Sequence, residues 1–125
     1  MNDTPTQIRR VLVVADQRPI SDSLAMILSH KGFVAKTATN GEDAVELARV
    51  FLPDLLISDV VMGGITGIEA ANEILRLLPT CKVILFSGQA TTLDLLRRSR
   101  MALHFEILPK PVDPDVLLQR IADFV

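Results

Sequence analysis

The sequence predicts a doubly wound α/β domain, in which a parallel sheet lies between two layers of helices. Short apolar runs rich in β-branched residues alternate along the chain with segments of helical periodicity. This alternation is typical of parallel strands joined by right-handed helical crossovers. The length of 125 residues fits one domain. We expect residues 1–7 to form a disordered polar tail and residues 8–125 to form the domain.

Five short segments have the composition of strands. Most of them are continuous apolar runs, as expected for strands that are buried on both faces of a sheet. The second segment alternates more than the others, which is typical of an edge strand. The segments are 11–15, 33–39, 54–59, 82–87 and 104–108.

Segments with helical spacing of apolar residues separate the strands, and they predict five helices. In the first, Ile20, Leu24, Ile27 and Leu28 fall on one helical face. A weaker pattern at 91–102 predicts the fourth helix. Most boundaries carry capping signals. These are Gly32 after the first helix, Asn40 before the second, Thr66 with Glu69 before the third, and Asp113 with Pro114 before the last.

Composition excludes several classes of protein. The 13 basic and 15 acidic residues give a net charge of −2, so we expect no direct binding to nucleic acid, which normally needs a basic excess. No apolar stretch is long enough to span a membrane. Cys81 is the single cysteine, which excludes an internal disulfide and a cysteine-based zinc cluster. The polar N-terminus does not resemble a signal peptide, and these features together fit the cytoplasm.

Four polar residues follow different strands and meet at one edge of the predicted sheet. They are Asp16, Asp59, Ser87 and Lys110. Each alone has an ordinary structural explanation, such as a helix cap or a turn. Together they lie beyond the carboxyl ends of the strands, where ligands bind in this class of fold. Two carboxylates suit Mg²⁺, a carboxylate can attack phosphorus, and an ammonium and a hydroxyl can hold phosphoryl oxygens. The constellation predicts a phosphoryl acceptor.

The chain resembles the receiver domain of two-component response regulators over nearly its whole length. In this family an Asp is followed by a Met three residues on and a Gly eight residues on, which here are Asp59, Met62 and Gly67. The resemblance implies a flavodoxin-like sheet with strand order 2-1-3-4-5 and five helices on its two faces. The matching segments are VLVVADQ (11–17), PDLLISDVVMGGITG (53–67), ILFSG (84–88) and LPKP (108–111).

The resemblance also implies a role for each residue of the constellation. Asp59 would be the phosphoacceptor, and it would hold Mg²⁺ together with Asp16 and the backbone carbonyl of Val61. Ser87 would be the switch hydroxyl that binds the phosphoryl group, and Lys110 would pair with Asp59 and then with the phosphate.

The family's partners and output surface follow from the same resemblance. The phosphoryl donor would be a histidine kinase or a phosphotransfer protein, and the bond before Pro111 would be cis. The signal would pass to an unidentified downstream protein through the family's α4–β5–α5 face, here 91–102, 104–108 and the last helix. Such a domain is no enzyme beyond self-catalysed phosphoryl transfer to, and hydrolysis from, its own aspartate.

The same face carries opposite charges that make it a candidate homodimer surface. The basic residues lie in the fourth predicted helix and the acidic residues lie at or in the last one, so two copies could pair reciprocally. Exposed ion pairs of this kind add little affinity by themselves. The residues are Arg97, Arg98 and Arg100 against Asp113, Asp115 and Asp123.

Three positions depart from the family pattern. Ala15 replaces one of the two acidic residues that usually follow the first strand, which predicts weakened Mg²⁺ binding. Ile107 stands where an aromatic switch residue is usual, while Phe105 lies two residues earlier on the same strand face. Gly63 replaces the usual proline after Met62, so we expect a looser loop.

Two other interpretations stay open. The first alternative to a phosphorylatable receiver is a pseudo-receiver, which would be a protein-interaction module that acts without phosphorylation. A small enzyme of the doubly wound fold is the more distant one. The chain has no Gly-x-Gly-x-x-Gly after the first strand, as a dinucleotide enzyme needs. It also lacks the Asp-x-Asp of aspartyl-phosphate phosphatases, because Val61 stands where the second Asp would be.

Overall fold

A computed structural model describes residues 7–88 and 105–124. The strands are β1 (Arg10–Val14), β2 (Val34–Ala38), β3 (Leu55–Asp59), β4 (Lys82–Ser87) and β5 (Glu106–Pro109). They form one parallel sheet in the order β2-β1-β3-β4-β5. This confirms the predicted fold class and strand order. The described helices are α1 (Arg18–His30), α2 (Gly41–Phe51), α3 (Gly67–Leu77) and the C-terminal helix (Pro114–Asp123).

Two of the sequence predictions concern residues that the structure does not describe. The helix predicted at 91–102 lies outside the described residues, and so does the polar tail up to residue 6.

The predicted capping signals fix where the described helices begin and end. The side chain of Asn40 accepts a hydrogen bond from the backbone N–H of Asp43 at 2.7 Å. Thr66 and Glu69 form the reciprocal capping box, with hydrogen bonds of 3.1 and 2.9 Å. Gly32 follows α1 with φ of +97°, a conformation that costs little without a Cβ.

The sheet is covered by an apolar cluster on each face, which explains the lack of alternation in the central strands. Leu12 and Leu56 belong to the cluster under α2 and α3. Val13 and Ile57, their neighbours in sequence, belong to the opposite cluster under α1 and the C-terminal helix. Every residue of β3 is buried, whereas β2 alternates between exposed and half-buried residues before the buried Ala38, as predicted for an edge strand.

One residue of the predicted apolar face of α1 departs from the expectation. Leu24 and Leu28 are buried, but Ile20 is 40% exposed. Helix α1 begins just beyond the carboxyl end of β1, so its first turn lies at the rim of the sheet, above the core. In the described part of the chain, no helix has the length and hydropathy needed to cross a membrane.

Candidate functional site

Asp59 ends the central strand β3 and is held tightly at the carboxyl edge of the sheet. It is 2% exposed. The next residue, Val60, donates its N–H to the carbonyl of Phe86 at 3.1 Å and accepts from the N–H of Gly67 at 2.8 Å. A Cβ at Gly67 would collide with the backbone carbonyl of Asp59. The glycine eight residues after the aspartate is therefore required by close packing of backbone on backbone.

Lys110 brings a cation to this carboxylate. Its Nζ lies 2.6 Å from Oδ1 of Asp59. Its backbone N–H donates to the carbonyl of Ser87 at 3.1 Å, which ties the end of β5 to the end of β4. The bond between Lys110 and Pro111 is cis, as the resemblance implied. The lysine stem packs over Gly88, where a Cβ would lie 3.2 Å from Cδ of the lysine.

Burial and two charged neighbours set the pKa of Asp59. Burial raises the pKa of Asp59 above its ordinary value, because a charge is disfavoured away from water. The hydrogen bond and the positive charge of Lys110 lower this pKa, and the nearby negative charge of Asp16 raises it further. The site thus holds a largely desolvated carboxyl group whose charged form is stabilised by Lys110.

Ser87 is the last residue of β4 and supplies a buried hydroxyl beside the carboxylate edge. The residue is 7% exposed, and its Oγ has no hydrogen-bond partner among the described residues. A buried hydroxyl without a partner is costly and is often found where a ligand completes the hydrogen bonding. A phosphoryl oxygen is a ligand of this kind.

The predicted metal ligands have the chemistry that a hard divalent cation needs. Asp16 is exposed just beyond β1, Asp59 is its charged neighbour, and Val61 is 52% exposed in the loop after β3. Two carboxylates and a carbonyl fit Mg²⁺. Ala15 is 1% exposed and contributes only a methyl group. Across residues 7–88 and 105–124, no cluster of three His, Cys, Asp or Glu side chains has metal-binding spacing.

An apolar cavity of about 690 Å³ opens beside the Asp59–Lys110 pair. The first turns of α1 contribute Ile20 and Leu24 to its lining, and the segment after the cis bond contributes Pro111 and Val112. The cavity therefore offers apolar surface next to the carboxylate. The sequence predicts this cavity only weakly, through the apolar residues that stand in the first turn of α1 just after the end of a strand.

The family model of the response regulator receiver domain matches residues 11–122. This chain belongs to that family. Receiver domains are signalling modules of two-component systems.

Relatives of the receiver domain cover most of its length. It is 38% identical over 116 residues to the transcriptional regulatory protein PdtaR of Mycobacterium tuberculosis, covering 90% of this chain and 55% of that protein. The receiver domain thus spans about half the length of PdtaR. It is 30% identical over 117 residues to the chemotaxis protein CheY of Thermotoga maritima, covering 90% and 94% of the two chains.

Solved structures agree with the fold. The crystal structure of a two component transcriptional regulator AraC from Clostridium phytofermentans superposes with a TM-score of 0.78 at 29% identity. The match covers 94% of the receiver domain and 91% of that chain.

Two of the predicted departures from the family pattern lie on β5 and in the loop after β3. Ile107 is half-buried on β5 and packs against the cluster under α2 and α3. Phe105 belongs to the same cluster and is 9% exposed, so the two side chains share one face of the sheet. Gly63 is exposed and a Cβ there would touch nothing within 4 Å, so the loop is open at this point.

Part of the predicted dimer surface can be located in the receiver domain. Asp113 caps the C-terminal helix by accepting from the N–H of Asp115 at 2.9 Å. Asp123 lies 3.9 Å from Arg120 on its own helix. These two acidic residues therefore already have partners within the chain. The basic residues at 97, 98 and 100 lie outside the described residues.

Sequence reasoning missed one contact near the site. The carboxylate of Glu42, in the first turn of α2, accepts a hydrogen bond from the backbone N–H of Ile65 at 3.3 Å. No sequence pattern links residues 23 positions apart on a helix and a loop. The contact depends on how α2 packs against the loop after β3.

Lys110→Met is expected to lower the free energy of unfolding by about 1–2 kcal/mol at pH 7, because Asp59 loses its cation while the lysine is itself partly exposed. Losing Lys110 raises the pKa of Asp59 further. The folded variant then binds the proton of Asp59 more tightly than the folded wild type does, so the penalty shrinks as the pH falls and Asp59 becomes protonated in both proteins.

Urea unfolding at several pH values measures this effect, and Lys82→Met, at an exposed lysine, is the matched control. A penalty of the same size in the Asp59→Asn background would contradict the assignment of the penalty to the ion pair.

Proposed function

We propose that this receiver domain accepts a phosphoryl group on Asp59, using Mg²⁺, from a histidine kinase or a phosphotransfer protein. The observation that carries the proposal is the 2.6 Å ion pair between Lys110 and the buried carboxylate of Asp59, at the same strand edge as the Ser87 hydroxyl, which has no hydrogen-bond partner among the described residues. A nucleophile, a cation and a hydroxyl at one strand edge are the groups that phosphoryl transfer to an aspartate needs.

The transfer requires one covalent step from the chain, which is the attack of Asp59 on phosphorus. A carboxylate oxygen of Asp59 attacks phosphorus, and the bond from phosphorus to the donor nitrogen breaks with its electron pair moving to the donor imidazole. Lys110 and Ser87 then hold phosphoryl oxygens through an ion pair and a hydrogen bond. Catalysis rests on positioning and charge stabilisation, as in other phosphoryl transfers.

Magnesium would be held by Asp16, Asp59 and the carbonyl of Val61. When bound, it supplies positive charge that stabilises the negative charge of the phosphoryl oxygens. Receivers with an acidic residue at the position of Ala15 have three acidic residues around the metal, whereas this chain has two. We therefore propose that it binds Mg²⁺ more weakly.

The apolar cavity supports a protein as donor. Asp59 and Lys110 contribute to its lining, and Ile20, which also lines it, is 40% exposed. A protein that brings a phosphohistidine to Asp59 can bury this apolar surface as it docks. We propose that the exchange takes place in the cytoplasm and involves neither nucleic acid nor a membrane.

The test is the intact mass of the chain before and after incubation with a small phosphodonor and Mg²⁺. We expect one added phosphoryl group that is lost again on standing, as an acyl phosphate hydrolyses. An unchanged mass at saturating phosphodonor and Mg²⁺ would contradict the proposal.

The alternative function is a pseudo-receiver that binds a partner protein without phosphorylation. Ala15 favours it, because this buried methyl removes an acidic group from the metal site. The pseudo-receiver predicts no added mass, and it predicts equal partner binding with and without a phosphodonor. The same incubation therefore separates the two functions.

The proposed output surface is the α4–β5–α5 face, and we expect phosphorylation to couple weakly to it. Ile107 is branched at Cβ and stiff at its first torsion, so it cannot make the ring movement of an aromatic switch. Phe105 is already packed in the core, at 9% exposure. A phosphoryl group shifts an equilibrium only by its differential interaction with two states, and neither side chain offers a large difference between states.

The measurement is the chemical-shift change on adding beryllofluoride, which mimics the phosphoryl group. Large changes are expected around Asp59 and Ser87, and small ones at Phe105 and Ile107. Large changes that spread along β5 would contradict weak coupling. In that event Phe105→Leu, which keeps most of the packing, would test whether the Phe105 ring carries the signal.

A further inference from the structure

The loop after β3 has few anchors between its two ends. Val60 and Gly67 are fixed by the backbone hydrogen bonds described above, and Met62 is buried in the core at 8% exposure. Between them, Gly63 and Gly64 provide no side chain. Among the described residues, the hydrogen bond from Ile65 to Glu42 is the one that joins the backbone of this stretch, residues 61–65, to another part of the chain.

The start of α2 packs closely on this loop. A Cβ at Gly41 would lie within 3.0 Å of Cδ1 of Ile65, so the isoleucine side chain rests on the helix backbone. Gly64 has φ of +86°, and a Cβ there would lie 2.7 Å from a carboxylate oxygen of Glu42. The carboxylate therefore lies directly against the loop backbone, at a point where only glycine gives it room.

This contact lies a short distance along the chain from the proposed metal ligand. Ile65 follows Val61 by four residues, and Val61 is 52% exposed with no side-chain anchor in the core. With Gly63 where the family has proline, the backbone itself is less restricted. The carbonyl of Val61 needs some other restraint if it is to face the carboxylate edge.

We infer that Glu42 is a positioning residue for Mg²⁺, and that it acts by fixing the loop that carries the Val61 carbonyl. This inference rests on the proposed function, because it assumes that Mg²⁺ binds at Asp16, Asp59 and Val61. Glu42 touches neither the metal ligands nor the phosphoryl group. It holds the backbone N–H of Ile65, which lowers the freedom of the loop before the metal arrives.

The test compares Glu42→Ala and Glu42→Gln with Glu46→Ala as matched control. Glu46 is an exposed acid one turn along α2, where it pairs with Arg49 at 3.4 Å. Titration calorimetry gives the Kd for Mg²⁺, and amide hydrogen exchange of Ile65 in the metal-free protein reports the contact itself. Thermal unfolding checks that each variant is folded.

We expect Glu42→Ala to weaken Mg²⁺ binding about 3–10-fold, the equivalent of one modest hydrogen bond, and to speed exchange at Ile65. Glu42→Gln keeps an acceptor oxygen, so it should retain most of both properties. Glu46→Ala should change neither. A Kd for Glu42→Gln equal to that of Glu42→Ala would overturn the inference, since the lost charge alone would then explain the effect.

Two further outcomes would also overturn the positioning role. One is faster Ile65 exchange in Glu42→Ala with an unchanged Kd, because the contact would then exist without serving the metal. The other is a wild type that binds no Mg²⁺ while Ile65 remains protected. That result would reject the proposed metal site and leave the contact as a purely structural one, so the two failures can be told apart.

Discussion

Asp59→Asn is expected to abolish phosphoryl transfer and, at neutral pH, to raise the free energy of unfolding by about 0.5–2 kcal/mol. The loss of transfer follows from the loss of the nucleophilic carboxylate, which an amide cannot replace. The increase in stability follows from burial. Asp59 is 2% exposed, and its charge is disfavoured there even with Lys110 beside it.

The pH dependence of the stability gain tests whether the buried charge of Asp59 is its cause. The pKa of Asp59 is raised in the folded protein, so the folded state binds its proton more tightly than the unfolded state does. Stability from this group is complete at acid pH and is lost as the pH rises through the raised pKa. The amide of the Asp59→Asn variant carries no such charge. The advantage of the variant should therefore be present at neutral pH and disappear at acid pH, where wild-type Asp59 is protonated.

Lys110 does not reverse this expectation. Removing one partner of a buried ion pair is destabilising when the other charge stays buried. The Lys110 side chain is 42% exposed, so its ammonium can turn to water once the aspartate is gone. The asymmetry in burial makes loss of the acid stabilising and loss of the base destabilising.

Intact mass and urea unfolding at several pH values measure the two effects of Asp59→Asn. Asp22→Asn, at an exposed position on α1, is the control. It should keep phosphoryl transfer and change stability by less than about 0.5 kcal/mol. An added phosphoryl group on the Asp59→Asn protein would show that another residue is the acceptor.

The elements of this fold were predictable because their signals are local. The central strands are buried on both faces, so their apolar runs stand out in the sequence, as Leu55–Asp59 illustrates. Asn40 and the pair of Thr66 with Glu69 act within three or four residues of each other. The four rim residues were predictable as a group, since parallel strands bring their carboxyl ends to one edge.

The remaining features depend on how separate elements approach one another. The spacing from Asp59 singles out Gly67 in the sequence. Only the structure reveals why a glycine is needed there, because the carbonyl of Asp59 lies against it. Ile20 fits the apolar face of a helix by spacing, yet the first turn of α1 rises above the core. The contact of Glu42 with Ile65 joins a helix to a loop and has no periodicity at all.

The second large effect concerns Ala15, where the resemblance places an acidic residue beside the proposed metal site. Ala15→Asp is expected to tighten Mg²⁺ binding about 10–100-fold, the usual effect of a carboxylate that orients groups around a metal. Ala15 follows β1 directly, and its N–H donates to the carbonyl of Ala38 at 3.2 Å. The backbone at this position is thereby fixed at the same edge as Asp16 and Asp59. A carboxylate added there joins the existing pair of acids.

The same change should destabilise the protein when no metal is present. A third carboxylate beside Asp16 and Asp59 adds like-charge repulsion, which costs free energy in the folded state and raises the pKa of Asp59 further. Mg²⁺ removes this repulsion. The melting temperature of Ala15→Asp should therefore lie below that of the wild type without Mg²⁺ and should rise more steeply as Mg²⁺ is added.

Ala15→Asn is the matched control, because it has nearly the same shape and hydrogen-bonding reach but no charge. We expect it to bind Mg²⁺ much less tightly than Ala15→Asp and to lose less stability in the metal-free state. Titration calorimetry and thermal unfolding with and without Mg²⁺ measure both properties. If Ala15→Asp and Ala15→Asn gave the same Kd as the wild type, another group would already fill the role of the acid, and the proposal that Ala15 weakens Mg²⁺ binding would be wrong.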